Sequence, residues 1–302
     1  CSYPSIKMKI AVIGTGISGN VAAYYLNKSH DIKVYEANDY IGGHTHTHDI
    51  VMNDSKYAVD TGFIVFNYKT YPHFTNLLEE LEVDVQPSNM SFSVKCEETR
   101  LEYNGTSLNS LFAQRLNLFR PSFYKMIKDI LRFNKESVED LEAGNANVSM
   151  GKYLSNNNYG KKFIEQYLIP MGAAVWSSDP HQMMGFPAGF FIRFFHNHGM
   201  LSVNNRPQWY VIKGGSKEYV KKLTASFADK VHTESAVKSV KRLDAGVQLT
   251  LKNGGVEFFD DVFIATHSDH ALAMLEDRSD LEELILSKIP YQENEAILHT
   301  DK

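Results

Sequence analysis

The stretch Lys9-Ile-Ala-Val-Ile-Gly-Thr-Gly-Ile-Ser-Gly-Asn-Val-Ala-Ala-Tyr-Tyr-Leu26 decides how the rest of the chain is read. Its apolar run, Ile10 to Ile13, has the pattern of a short parallel strand buried on both faces. Gly14, Gly16 and Gly19 follow in GxGxxG spacing, and Val21, Ala22, Tyr25 and Leu26 then recur with helical period. The first glycine allows a tight turn, the second lets backbone approach a pyrophosphate, and the third lets helix pack on strand. The helix N-terminus, with Ile17 and Ser18 in its first turn, offers unpaired N–H groups and a positive dipole end to phosphate. A second strand, Ile32 to Tyr35, ends at Glu36, 22 residues beyond Gly14. A dinucleotide fold places a carboxylate there for ribose hydroxyls. Strand, glycines, helix, strand and acid in register separate this pattern from a bare glycine turn in an ordinary α/β protein. No Lys or Arg follows Glu36 closely, which disfavours a 2′-phosphate and hence NADP.

The 302 residues can bury a large core and suit two domains. A hydrophobic content of 43% and a charged content of 22% are ordinary for a globular protein, and the net charge of −5 argues against a nucleic-acid partner. Cys1 and Cys96 form no disulfide framework and fit a reducing compartment, so a cytoplasmic location is expected, with peripheral membrane association left open. No apolar run approaches a transmembrane span, and no signal peptide is evident. Met8, directly before the first strand, is read as a candidate native start.

Beyond Glu36 and Ala37, the pair Gly42-Gly43 again suggests backbone held close to a ligand. His44, His46 and His48 alternate with Thr45 and Thr47, which in a strand puts three imidazoles on one face. A polar strand face near a cofactor is preferred there to a metal site, and no metal is expected. The run Tyr57 to Asn67, with Asp60, Thr61, Gly62 and Phe63, reads as a buried strand and turn. From Tyr71 to about Gln208 the character is helical, with periodic segments Tyr71–Leu81, Ser107–Phe133, Lys161–Tyr167 and Phe190–Phe195. Short strands are expected near Met90–Val94 and Leu101–Tyr103. Loops are expected at Ala143–Asn147 and Leu154–Tyr159. Pro170 and Gly172 interrupt the apolar run Tyr167–Ser177. The phenylalanines around Phe191 form either a tunnel wall for an apolar substrate or ordinary core. After Trp209 come a strand, Lys213, the glycine pair Gly214-Gly215 and a helix over Tyr219–Phe227. Strands follow at Ala236–Arg242 and Gly246–Lys252, with a turn at Asn253-Gly254-Gly255. A buried strand then covers Phe258 to Thr266, and the run Glu295–His299 looks strand-like.

The GxGxxG loop, the terminal Glu36, Gly42-Gly43, Asp60-x-Gly62-Phe63 and the later Gly214-Gly215 together resemble the superfamily of flavin-containing amine oxidases and phytoene desaturases. The stretches Asn89–Ser93, Ser110–Gln114, Tyr167–Ser177, Arg206–Trp209 and Ala265–His267 are most similar to one branch of it. That branch holds bacterial NAD/FAD-binding proteins and the oxidoreductase-like N-terminal extension of plant cyclopropane-fatty-acid synthases. The resemblance implies a Rossmann-like FAD-binding domain, with a parallel sheet and an antiparallel β-piece, and an inserted, mostly helical substrate domain. It places the FAD-binding domain at 8–68 and 210–270 and the substrate domain at 71–209 and 271–302. It implies FAD contacts at Gly14, Gly16, Ile17, Ser18, Gly19, Glu36, Ala37, Gly42, Gly43, His44, Thr61, Gly62, Phe63, Val237 and Thr266. The family normally carries Arg after the paired glycines, and His44 stands in that place. Its C-terminal Gly-Asp-type flavin element has no counterpart, so the chain is expected to be incomplete at that end.

The activity implied is an FAD-dependent oxidoreductase that transfers hydride from an organic, lipid or acyl substrate to flavin. A flavin carries that chemistry itself, in keeping with the lack of a nucleophilic triad or carboxylate pair. Trp176, Phe191, Trp209 and Lys213 are candidates for lining the substrate site, and no general base is assigned. The branch implies a functional link to a fatty-acid-modifying enzyme. The alternatives are a non-catalytic dinucleotide-binding or regulatory scaffold, and a plain NAD dehydrogenase.

Overall fold

The structure, a computed structural model, describes residues 6–176, 180–202, 206–291, 293, 295 and 297–300. Cys1, Ser177 and Ala296 lie outside the described residues. The chain divides into two compact units. The first holds the residues up to Phe66, Pro72–Gln86 and those from Tyr210 onward, and the second holds Asn67–Tyr71 and Pro87–Trp209.

The first unit is built on a four-stranded parallel sheet. Its order is Asp261–Ile264, β1 (Lys9–Ile13), β2 (Asp31–Tyr35) and Val231–His232. The apolar run of β1 is explained by cover on both faces. On one face Val12, Ile32 and Val34 pack with Ala23 of helix α1 (Ile17–Leu26) and with Phe227. On the other face Ala11, Ile13 and Tyr35 pack with Val240, Leu249 and Phe259 of an antiparallel meander. The meander strands are Val237–Leu243, Gly246–Leu251 and Val256–Phe259. Each buried Val, Ile, Leu or Phe among these contributes about 1.5–3 kcal/mol.

Three parts of this unit differ from the sequence expectation. Residues from 47 to 60 form a hairpin, β3 (Thr47–Met52) and β4 (Ser55–Asp60), closed by Asn53 and Asp54 at φ 51° and 60°. Two left-handed central residues are the mark of a type I′ turn. The segment from Tyr57 is therefore not a buried strand: it pairs with β3 alone, and Tyr57 is exposed. The described residues after 270 belong with this unit rather than with the helical one. The cause is burial of Met274 and Leu275 in the same core as Ala11 and Val240. They form helices Ser268–Met274 and Asp280–Leu286, the second opened by a capping box between Ser279 and Glu282. The described residues of the 295–299 run have no regular structure, and Ile297 and Leu298 are exposed. An apolar run becomes a strand only where a sheet edge takes up its backbone groups.

The second unit is mostly helical around one aromatic-rich core. The periodic stretch 107–133 is split into Leu108–Leu111, a 3₁₀ turn at Arg115–Phe119 and the 22-residue helix Pro121–Glu142. Pro121 sets the long helix's start, since proline suits a first helical turn and no interior. Helix Met150–Asn156, capped by Ser149, runs into the Asn-rich segment, so the loop begins only at Asn157. Pro170 does not end the apolar run. A π-helical turn at Ile164–Leu168 leads directly into helix Ile169–Trp176, where a residue without N–H is tolerated near the start. A small hairpin pairs Ser93–Cys96 with Leu101–Asn104. Among the described residues, no helix is long and apolar enough to cross a membrane.

Candidate functional site

The candidate site lies at the carboxyl edge of the parallel sheet, where open α/β folds bind ligands. The chain leaves β1 at Gly14, whose N–H donates to the Tyr35 carbonyl at 2.8 Å. Gly14 has φ 100°, and a methyl group there would lie 2.6 Å from the Ala265 carbonyl oxygen. Glycine is thus required at this turn on two counts. Thr15 then points inward and is fully buried. Its N–H donates to Glu36 Oε2 at 2.9 Å, its hydroxyl donates to the same oxygen, and Asn38 N–H donates to Oε1 at 2.9 Å. The buried Glu36 carboxylate therefore fastens the glycine loop to the end of β2, a role the sequence did not reveal. A carboxylate offers about four acceptor positions, so one remains for a ribose hydroxyl. Asn20 donates its Nδ2 to the Thr15 carbonyl at 2.7 Å.

The first hydrogen bond of α1 runs from Asn20 N–H to the Gly16 carbonyl at 3.0 Å. The N–H groups of Ile17, Ser18 and Gly19 thus have no partner within the helix. Gly16 has ordinary extended torsions, φ −64° and ψ 179°, and a methyl group there would meet nothing within 4 Å. Its lack of a side chain serves no contact inside the protein. The loop Gly42-Gly43-His44 crosses close by: a methyl on Gly43 would come within 2.9 Å of the Gly16 Cα. Gly62 backs this loop in turn, since a methyl there would lie 1.7 Å from the His44 carbonyl oxygen.

Asp60 joins these segments to the returning chain. Its carboxylate accepts from Thr47 Oγ1 at 2.5 Å, Ser216 N–H at 3.0 Å and Ser216 Oγ at 3.1 Å. Ser216 follows Gly214-Gly215 and precedes helix Lys217–Thr224, and Lys217 N–H donates to Thr47 Oγ1 at 2.9 Å. Thr61 N–H donates to the His46 carbonyl, and Phe63 sets its ring edge-to-face on Phe74 at 5.2 Å. Thr45 and Tyr219 share a hydrogen bond of 2.5 Å, and burial pushes the Tyr219 phenol up.

The meander reaches the same edge. Ser235 N–H donates to the Glu36 carbonyl at 2.8 Å and Glu234 N–H to that of Asn38 at 2.9 Å, so the backbone just before Val237 runs beside Glu36 and Ala37. Ala265 N–H donates to the Ile13 carbonyl at 2.8 Å, which sets Thr266 beside Gly14.

Other sequence-selected residues are placed differently. His46 and His48 lie side by side with ring centroids 4.1 Å apart, but His44 and His46 precede β3, and His44 stands parallel to His267 at 5.5 Å. The three imidazoles therefore do not share one strand face. Phe191, a candidate substrate contact, is a core residue. It is 1% exposed and stacks on Phe195 at 4.3 Å, with Trp176 against both rings. Residues 191 and 195 share the inward face of helix Ala188–Asn197, which explains the burial. Trp176 and Trp209 lie in the second unit and Lys213 in the first, where its N–H donates to the Asp84 carbonyl at 3.0 Å.

This donor set fits the ADP half of a flavin dinucleotide. Open space at Gly16, unpaired amides at the start of α1 and a buried acid at the end of β2 are what a pyrophosphate and its ribose require. His44 offers one imidazole where a guanidinium would make a paired contact.

Comparison with known proteins agrees. The model of the family described as flavin containing amine oxidoreductase matches residues 17–299. No curated protein matches the sequence significantly. A triple mutant of putrescine oxidase is similar in fold, with 16% identity, a TM-score of 0.68, and coverage of 93% of this chain and 63% of that one. Cyclohexylamine oxidase from Brevibacterium oxydans gives 17% identity and a TM-score of 0.67, with 93% and 63% covered. A conjugated-linoleic-acid-producing (CLA-producing) fatty acid isomerase from P. acnes gives 14% identity and a TM-score of 0.63, with 94% and 64% covered. The chain spans somewhat under two thirds of the length of these structures.

Proposed function

Since the chain belongs to the flavin containing amine oxidoreductase family, whose cofactor is FAD, we propose that it is an FAD-dependent oxidoreductase acting on an organic substrate of lipid or acyl type. The observation that carries the reading is the convergence of Gly14–Gly19, Glu36, Gly43 and Gly62 on one open cradle at Gly16. Bound FAD supplies the hydride acceptor. The amides of Ile17, Ser18 and Gly19 would hold its pyrophosphate, Glu36 would accept from a ribose hydroxyl, and the backbone near Val237 would border the adenine. Gly62 and Asp60 keep the Gly43-His44 loop against Gly16, so the phosphate cradle is formed before the cofactor arrives. The acyl reading rests on the branch resemblance, and the fold it shares with a fatty acid isomerase is compatible with it. A functional link to a fatty-acid-modifying enzyme belongs to the same proposal.

The test is the full-length protein, purified and reconstituted with FAD. The expected result is an oxidised flavin spectrum that bleaches anaerobically with an unsaturated fatty-acid or phospholipid fraction and not with putrescine. Bleaching by amines alone would overturn the acyl assignment. A protein that never takes up FAD would overturn the oxidoreductase reading in favour of a non-catalytic scaffold.

A further inference from the structure

Among the described residues, one group of metal-ligating side chains comes together, beside the nucleotide cradle where His267 stacks on His44: His267, Asp269 and His270. Their ligating atoms all lie within 4.8 Å of one another. We propose that this turn binds a divalent transition-metal ion of the zinc class, with His267, Asp269 and His270 as protein ligands and water in the remaining position.

His267 is the N-cap of helix Ser268–Met274 and His270 lies three positions on, which brings the two imidazoles near one face with ring centroids 5.6 Å and planes 13° apart, while Asp269 is adjacent in the first turn. Asp269 Oδ1 accepts from His270 N–H at 2.8 Å, while Oδ2 stands 4.0 Å from His270 Nε2. The carboxylate is thus held by one oxygen and presents the other to the imidazole. The His267 ring is held flat against Tyr291, with centroids 4.4 Å apart and planes 6° apart. Tyr291 is itself held, because its hydroxyl accepts from Ser268 N–H at 3.0 Å. The His267 ring is thus held by stacking on Tyr291, on His270 and on His44.

The gap that remains is small. Zinc bonds of about 2.0–2.2 Å in a tetrahedron place donor atoms about 3.3–3.5 Å apart. The side chains of His270 and Asp269 are 70% and 49% exposed, so rotation about their own torsions can close that difference without moving the core. Two imidazole nitrogens and one carboxylate oxygen suit Zn²⁺, Ni²⁺ and Cu²⁺ better than Ca²⁺ or Mg²⁺, which prefer all-oxygen shells. Titration of FAD-free protein with zinc tests this site separately from the flavin reading.

The test uses tag-free, chelator-treated protein titrated calorimetrically with Zn²⁺ and, as a spectroscopic probe, with Co²⁺. One equivalent of zinc is expected to bind, with a rise in melting temperature that chelator reverses. His270→Ala and Asp269→Asn should each weaken binding at least about 10-fold, because losing a ligand costs no less than losing an outer contact. Both positions are exposed, so an unchanged melting temperature without metal checks their folding. The double variant His46→Ala/His48→Ala should bind as the parent does. Absence of zinc binding, parental affinity in H270A or D269N, or loss of binding in the 46/48 variant would each overturn the proposal.

Discussion

Replacing Gly16 and Gly14 in turn separates what each does. At Gly16 the torsions suit any L-residue, and an added methyl meets nothing within 4 Å. Restricting the unfolded chain favours the alanine by about 0.4–1 kcal/mol, and losing glycine at a helix N-cap costs a comparable amount. Gly16→Ala should therefore leave the flavin-free protein within about 1 kcal/mol of its original stability. The methyl occupies the space into which a pyrophosphate must come, so FAD affinity should fall at least about 10-fold, or about 1.4 kcal/mol. At Gly14 the same methyl meets the Ala265 carbonyl oxygen at 2.6 Å, at φ 100°. Strain of about 1–3 kcal/mol and overpacking of similar size should make Gly14→Ala destabilising by about 2–5 kcal/mol without any ligand. Urea unfolding of flavin-free protein gives the stabilities, and FAD titration followed by fluorescence quenching gives the affinities. If Gly16→Ala binds FAD as the parent does, the cradle is misplaced. If it destabilises as much as Gly14→Ala, the space at Gly16 is not open.

Asp60→Ala removes the acceptor of three hydrogen bonds from Thr47 and Ser216 and should cost about 2–4 kcal/mol in urea unfolding, with Asp60→Asn costing about half. A loss under about 1 kcal/mol from Asp60→Ala would show that Asp60 does not hold the segments together. Burial acts to raise the Glu257 carboxyl, but Lys33, bonded to both its oxygens at 2.6 and 2.8 Å, holds it net below its ordinary value of 4.5. A lowered folded value stabilises above the unfolded one and is lost as pH falls through the folded one. Glu257→Gln should thus cost about 0.5–1 kcal/mol at pH 7 and progressively less as pH falls below 4.5 and through the lower folded value, as read from denaturant midpoints; a gap that does not shrink with falling pH would refute the ion-pair account.

The nucleotide half was legible because its signals are local. Torsions, close approaches and a strand–helix–strand repeat are written in consecutive residues, so Gly14, Gly19 and Glu36 could be named without a structure. The hairpin over 47–60 was equally local in its Asn53-Asp54 turn, and only the apolar composition of Tyr57–Phe66 drew attention from it. The aromatic helix face around Phe191 was ambiguous for a different reason. Periodicity shows that a face is buried but not against what, and here the neighbours are Trp176 and Phe195.

By itself the sequence determined the strand–helix–strand unit of β1, α1 and β2, the dinucleotide loop and the helical character of the middle of the chain. These follow from backbone geometry over short spans. Only tertiary structure decided that Glu36 spends its first oxygen on Thr15, that Asp60 binds a residue 156 positions away, and that His44 stands beside His267 rather than His46. Those contacts join segments distant in the chain. Their partners are chosen by which strand edges and loops the packed core brings together, and no periodicity within a single segment encodes that choice.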